Sequence, residues 1–261
     1  MIWALAPMIG PALGGVVDEA LGWRAIFWGL ALAGIVMFAL CWLQLGETNK
    51  TRSGTIVQQF RAYPALIRAP RFWAYALCMG FSVGAVYAFL AGAPLVAATF
   101  DVSSAWLGLF IGSITAGFVF GSFLSGRYAG RYPLTTMMIV GRIVACSGPA
   151  ICLALLFADV RHGMELFGPC ILVGVGNGLT MPSANAGALS VRPDLAGSAA
   201  GLAGAMTLSG GAALSSITGV VLTESNASYA LFSVMLFSTT FALLAAVIAV
   251  LVERRSSILA T

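Results

Sequence analysis

The feature that most constrains this chain is a series of long stretches without a charged side chain. They run Ala25–Leu45, Phe72–Phe100, Val102–Gly126, Leu166–Val191, Leu195–Thr223 and Ser225–Val252. Each exceeds the ~20 residues that cross a hydrocarbon core of about 30 Å. Met1–Val17 is a shorter run of the same kind, and Tyr132–Ala158 is interrupted only by Arg142. In lipid every backbone N–H and C=O must be paired internally, which leaves helices or closed barrels. Barrel strands are alternating segments of about ten residues, and these runs do not alternate. The expected fold is an all-α polytopic membrane protein with about eight transmembrane helices.

Composition agrees. Hydrophobic residues make up 60% of the chain and charged residues 8%, against roughly 25% charged in a soluble domain. The surface facing the surroundings must therefore be apolar, so the lipid bilayer is the expected partner. The net charge of +4 is too thinly spread to suggest nucleic acid. Cys41, Cys78, Cys146, Cys152 and Cys170 lie in apolar runs without a CxxC pair, so no disulfide framework, metal site or redox motif is expected. The sole histidine, His162, is in a loop, there is no HExxH, and all nine carboxylates lie in loops or at span ends. An intramembrane enzyme has little to work with; no enzyme activity and no cofactor are expected.

The basic residues set the orientation. Lys50, Arg52, Arg61, Arg68, Arg71, Arg127, Arg131, Arg192, Arg254 and Arg255 fall on one side of the alternating spans, and only Arg24 and Arg161 on the other. Under the positive-inside rule the first group is cytoplasmic. This places the protein in the cell inner (plasma) membrane, multi-pass, with a cytoplasmic C-terminus (residues 253–261). The polar stretch 46–71 reads as a cytoplasmic linker. Its Thr55–Gln58 fits a capping box ahead of an amphipathic helix carrying Ile56, Phe60, Tyr63 and Ile67.

"GPALGGVVDEALGWRAIFW" (Gly10–Trp28) resembles the antiporter motif at the outer end of helix five in drug-proton antiporters of the major facilitator superfamily. Gly10, Pro11, Gly14 and Gly15 form its core, and Trp23 and Arg24 belong to the trailing part. "GRYAGRYP" (Gly126–Pro133) resembles the loop motif between helices eight and nine. Gly126 and Arg131 match; Gly130 stands where the pattern has Asp, and Pro133 where it has Gly. "YPALIRAPRFWAYALCMGF" and "GNGLTMPSANAGALSVRPDLAGSAAGL" are similar to helix seven and the helix ten–eleven junction of the Bcr/CflA drug-resistance subfamily. The resemblance implies twelve helices in two six-helix bundles around a cavity. Residues 1–45 would be the last two helices of the N-terminal bundle and 72–252 the whole C-terminal bundle. Helices one to four would be absent, together with the proton-carrying acid. The bare start at Met1 is read as a truncated or mis-started chain. The implied activity is proton-coupled efflux of small amphipathic drugs, energised by the proton gradient, by a monomer when full length. Two readings stay open beside it: transport of another small solute or metabolite, and a fragment that moves nothing.

Candidate residues follow from local chemistry. Gly10 and Gly14 form a GxxxG face that invites close packing, with Gly108/Gly112 and Gly117/Gly121 as matching faces. Asn177, Met181 and Asn185 are four residues apart and share one helix face. Two amides on an apolar helix need partners or water, which either the substrate cavity or interhelical hydrogen bonds would supply. Phe81, Tyr87 and Phe89 could stack on apolar or cationic drugs, or could be core or lipid-facing aromatics. Arg142 inside a span costs roughly 2.5–3.5 kcal/mol. Snorkelling to the cytoplasmic interface is the preferred relief; a buried partner is the alternative.

Overall fold

The computed structural model describes residues 17, 20–44, 63–64, 66–160 and 162–258. The chain divides into two units, residues 2–61 and, essentially, 62–261. In the first, helix α1 (Trp23–Gln44) has mean hydropathy 2.3, enough to cross a membrane, and buries none of its residues. The expected first span, Met1–Val17, lies outside the described residues except for Val17; of the expected linker, residues 46–62 and 65 lie outside them, while Tyr63, Pro64, Leu66 and Ile67 are helical.

The second unit holds α2 (Pro70–Thr99), α3 (Ser104–Tyr128), α4 (Leu134–Phe157), the short α5 (Gly163–Phe167), α6 (Ile171–Ser190), α7 (Ala196–Val221) and α8 (Ala227–Ile258). A single 3₁₀ turn, Gly168–Cys170, joins α5 to α6. With α1, the described residues contain seven helices long and apolar enough to span a bilayer. Proline marks where they begin and bend. Pro70 occupies the first turn of α2, where a missing N–H costs nothing. Pro94, Pro149 and Pro182 lie within α2, α4 and α6, positions a membrane helix tolerates when neighbours satisfy the freed carbonyls.

The packing has a plan. Helix α2 packs on α7 and α8, α6 packs on α3 and α4, and the two sets meet through α2–α6 and α4–α8. Exchanging α2 with α6, α3 with α7 and α4 with α8 returns the same pairings. Consecutive spans are antiparallel, so the exchanged helices run in opposite directions, as in an inverted repeat of three helices. Glycines let the central helix α6 approach both neighbours. A Cβ on Gly174 or Gly178 would strike the carbonyl oxygens of Ile114 and Phe118 on α3, and one on Gly176 would strike that of Gly141 on α4. Gly117 and Gly121, expected to be free for an interface with the Gly10 face, instead lie against Ile171 and Val175 of α6. Gly108 and Gly112 do stand open.

The core separates into two apolar layers. One contains Phe89, Phe110, Cys152, Phe167, Val173, Phe232 and Met235. The other contains Phe72, Tyr75, Met138, Ala184, Ala188 and Ala246. Along each of α2, α4 and α6 a short polar interval lies between them.

Candidate functional site

That interval is built around Arg142. It sits eight residues into α4, about 12 Å along the helix axis, and its exposure is 0%. Three of its nitrogens donate to three different acceptors. Nε reaches Thr180 Oγ1 at 2.9 Å, Nη1 reaches Ser82 Oγ at 2.7 Å, and Nη2 reaches Asn177 Oδ1 at 2.6 Å. The guanidinium thus ties α4 to α2 and α6.

The acceptors are arranged to accept. A hydroxyl carries one hydrogen and two lone pairs. Thr180 Oγ1 spends its hydrogen on Gly176 O at 2.8 Å, and Ser82 Oγ donates to Cys78 O. Asn177 Nδ2 donates to Ser82 O at 2.9 Å, which turns its Oδ1 toward Arg142. None of the three acceptors is a carboxylate, so the positive charge is solvated by fixed dipoles. Hydrogen bonds to a charged group contribute about 1.5–3 kcal/mol each, enough together to offset the insertion cost of one arginine. Snorkelling is therefore corrected: Arg142 is enclosed by three helices, and relief comes from buried partners.

The other candidates scatter. Asn177 is buried in this network, Met181 is half-buried against the layer of Phe72 and Tyr75, and Asn185 is exposed. The shared face turns by about 40° at each step of four residues, and the helix stays buried on the side of Ser183, Ala184, Gly187 and Ala188, so Asn185 is carried outward. Phe89 is wholly buried and meets Phe167 edge-on at 5.8 Å, so it is a core aromatic. Phe81 is turned toward α8, 5.5 Å from Phe241, and its carbonyl accepts from Ser238 Oγ. Tyr87 is 37% exposed, its ring beside Gly211 of α7. On α1, Arg24 lies 4.8 Å over the ring of Trp23. Gly10, Pro11, Gly14 and Gly15 lie outside the described residues. In the loop motif Gly126 and Arg131 are exposed, and Gly130 adopts φ +82°. Glycine takes that conformation without a Cβ penalty.

Two partners of Arg142, Ser82 and Thr180, escaped the sequence reading. Their signal was present: an arginine inside an uncharged run requires polar groups on neighbouring spans. A second cluster was also missed. Arg71 Nη2 donates to Glu253 Oε1 at 2.7 Å and to Ser190 Oγ at 3.2 Å, and Tyr75 OH donates to the same Glu253 oxygen at 2.5 Å. This joins the ends of α2, α6 and α8.

Residues 1–216 match the family model described as Major Facilitator Superfamily. The chain belongs to that superfamily. Its members are transporters, so the chain is a multi-pass membrane protein of a transporter superfamily rather than an enzyme, with the lipid bilayer around it. The chloramphenicol resistance protein of Pseudomonas aeruginosa is 28% identical over 187 residues, 71% of this chain and 44% of that protein. The bicyclomycin resistance protein homolog of Haemophilus influenzae is 27% identical over 222 residues, 83% of this chain and 55% of its own length. Multidrug resistance protein D of Escherichia coli is 27% identical over 221 residues, with the same two coverages. These relatives bear out the resemblance to superfamily drug-proton antiporters of the Bcr/CflA type. The chain spans about half the length of these curated relatives. A solved bacterial homolog of the human lysosomal transporter Spinster, inward-facing and unoccupied, superposes with a TM-score of 0.58 at 16% identity. The match covers 96% of this chain and 67% of that one, a likeness of fold.

Proposed function

We propose that the protein exports small amphipathic drug-like molecules by alternating access, coupled to proton entry. The observation that carries this reading is the superfamily match joined to relatives named for chloramphenicol, bicyclomycin and multidrug resistance. In this reading residues 1–45 belong to an N-terminal bundle, 46–71 form a cytoplasmic linker, 72–252 form the C-terminal bundle, and 253–261 form a cytoplasmic tail. The C-terminal bundle moves as one body because Arg142 ties three helices together inside the membrane, with the Arg71–Glu253 pair a weak further tie at one end. Drug contact falls to Tyr87, Asn185, Met181 and Phe81, the candidates left exposed or half-exposed. Among the described residues the carboxylates lie at helix ends and in loops; in this reading the proton carrier is an acid of the N-terminal helices that the resemblance implies. The working unit is a monomer in the inner membrane, without a cofactor and powered by the proton gradient.

The test is dye efflux from drug-sensitive bacteria expressing the chain alone and joined to the N-terminal helices of a relative. The joined form is expected to lower ethidium accumulation, and a protonophore to abolish the effect. Efflux that persists after the gradient collapses would rule out proton coupling. Absence of efflux from a correctly inserted joined form would favour a different solute.

A further inference from the structure

Two thiols far apart in the apolar runs meet in the fold. Cys152 is on α4, one turn and a half before its end, and Cys170 closes the 3₁₀ turn ahead of α6. Their sulfurs are 3.8 Å apart, and both residues are 0% exposed. The surroundings hold them in register. Cys152 Sγ donates to Leu166 O at 3.1 Å. One turn earlier on α4, Gly148 lets the backbone at Pro169 come close, since a Cβ there would lie 2.8 Å from Pro169 O. A disulfide has S–S of about 2.05 Å, so the two sulfurs would approach by roughly 1.8 Å to bond. The orientation proposed above puts this end of α4 and α6 on the outer side of the membrane, where disulfides persist.

We propose that Cys152 and Cys170 form a disulfide that staples the outer end of α4 to the start of α6. The inference rests on that orientation. The oxidant is a disulfide-bearing donor of the outer compartment. One cysteine thiolate attacks a donor sulfur, giving a mixed disulfide and releasing one donor thiolate. The second cysteine thiolate then attacks the first cysteine's sulfur, forming the Cys152–Cys170 bond and releasing the other donor thiolate. The two cysteine protons end on the donor's two sulfurs; the cysteines lose two electrons and the donor gains them. Because both thiols are enclosed in the folded bundle, exchange takes place during insertion, before α4 and α6 close.

The test is thiol alkylation of membranes from expressing cells, denatured with and without prior reduction, read by peptide mass spectrometry. Before reduction, Cys152 and Cys170 are expected to resist alkylation and to appear as one cross-linked peptide pair two hydrogens lighter. Cys41, Cys78 and Cys146 should alkylate fully and serve as internal controls. After reduction all five should alkylate. In Cys152→Ser and Cys170→Ser, each stable variant should release the partner as a free thiol. Full alkylation of both cysteines without reductant overturns the proposal. A cysteine introduced at Ser228 and probed with an impermeant maleimide separates the causes. If Ser228 labels from outside while both thiols are free, the disulfide is wrong. If Ser228 is shielded and both thiols are free, the orientation is wrong and the staple falls with it.

Discussion

Nη2 of Arg142 on α4 donates to Oδ1 of Asn177 on α6 at 2.6 Å, with both side chains buried inside the membrane bundle. The pairing is a cation held by a neutral amide. It is fixed in charge, since guanidinium does not lose its proton in proteins. It is also fixed in orientation, since the same amide donates to Ser82 O at 2.9 Å.

Removing the cation should loosen three helices together. Arg142→Ala strips Ser82, Thr180 and Asn177 of a shared donor and leaves a cavity. We expect a loss of roughly 1–3 kcal/mol, the scale for leaving a buried polar acceptor unsatisfied. Arg142→Lys should fall between, because one ammonium cannot reproduce three nitrogens in a planar fork. Thermal unfolding in detergent, followed by tryptophan fluorescence, would order the three proteins. Equal midpoints for wild type and Arg142→Ala would mean the network contributes nothing to stability.

Asn177 and Ser82 should be coupled through Arg142. Asn177→Leu leaves Nη2 without its acceptor, and Ser82→Ala does the same to Nη1. A double-mutant cycle is expected to show an interaction of about 0.5–3 kcal/mol. Asn177→Asp should keep the contact to the guanidinium but lose the donor to Ser82 O, so it should be less damaging than Asn177→Leu without exceeding the wild type. Strict additivity would show that the two acceptors act independently.

Glycines on α3 and α6 should differ sharply by position. Gly174→Val drives a side chain into the backbone of Ile114, which cannot rotate away; overpacking of this kind costs about 1–3 kcal/mol or more. Gly108→Ala meets nothing within 4 Å and should be neutral or slightly stabilising. Yield of folded protein by size-exclusion chromatography separates the two outcomes.

Tyr87 and Phe89 lie two residues apart and should report different properties. Phe89→Ala empties a buried aromatic site and should cost about 3–5 kcal/mol. Tyr87→Ala should leave unfolding nearly unchanged while weakening drug-stimulated efflux in the joined transporter. If both substitutions lower stability equally and efflux of folded protein is unaffected, Tyr87 is not a drug contact.

The Arg71–Glu253 pair should matter less than its 2.7 Å separation suggests. Its side chains are 32% and 28% exposed, so solvent screening limits the pair to about 1 kcal/mol or below. Glu253→Gln keeps an acceptor for Tyr75 and Arg71 and should shift the unfolding midpoint only slightly. Raising salt should shrink the difference between the two proteins further.

The membrane-spanning helical fold is legible in the one-dimensional pattern. An uncharged run such as Phe72–Phe100 has one low-energy state in lipid, because the bilayer leaves its backbone no partner except itself. The antiporter motif carries the family for a similar reason: it is local, and its residues stand at fixed spacing. The candidate site was less legible. Whether Arg142 snorkels or is buried depends on whether Ser82, 60 residues away, and Thr180, 38 residues away, arrive beside it. Spacing along one helix puts Asn177 and Asn185 on the same face, yet cannot say which side of α6 its neighbours cover. Cys152 and Cys170 likewise became neighbours only when the Gly148 contact brought two backbones together. Lipid imposes helices on each segment separately; close packing among segments, which depends on every neighbour at once, decides which polar groups meet.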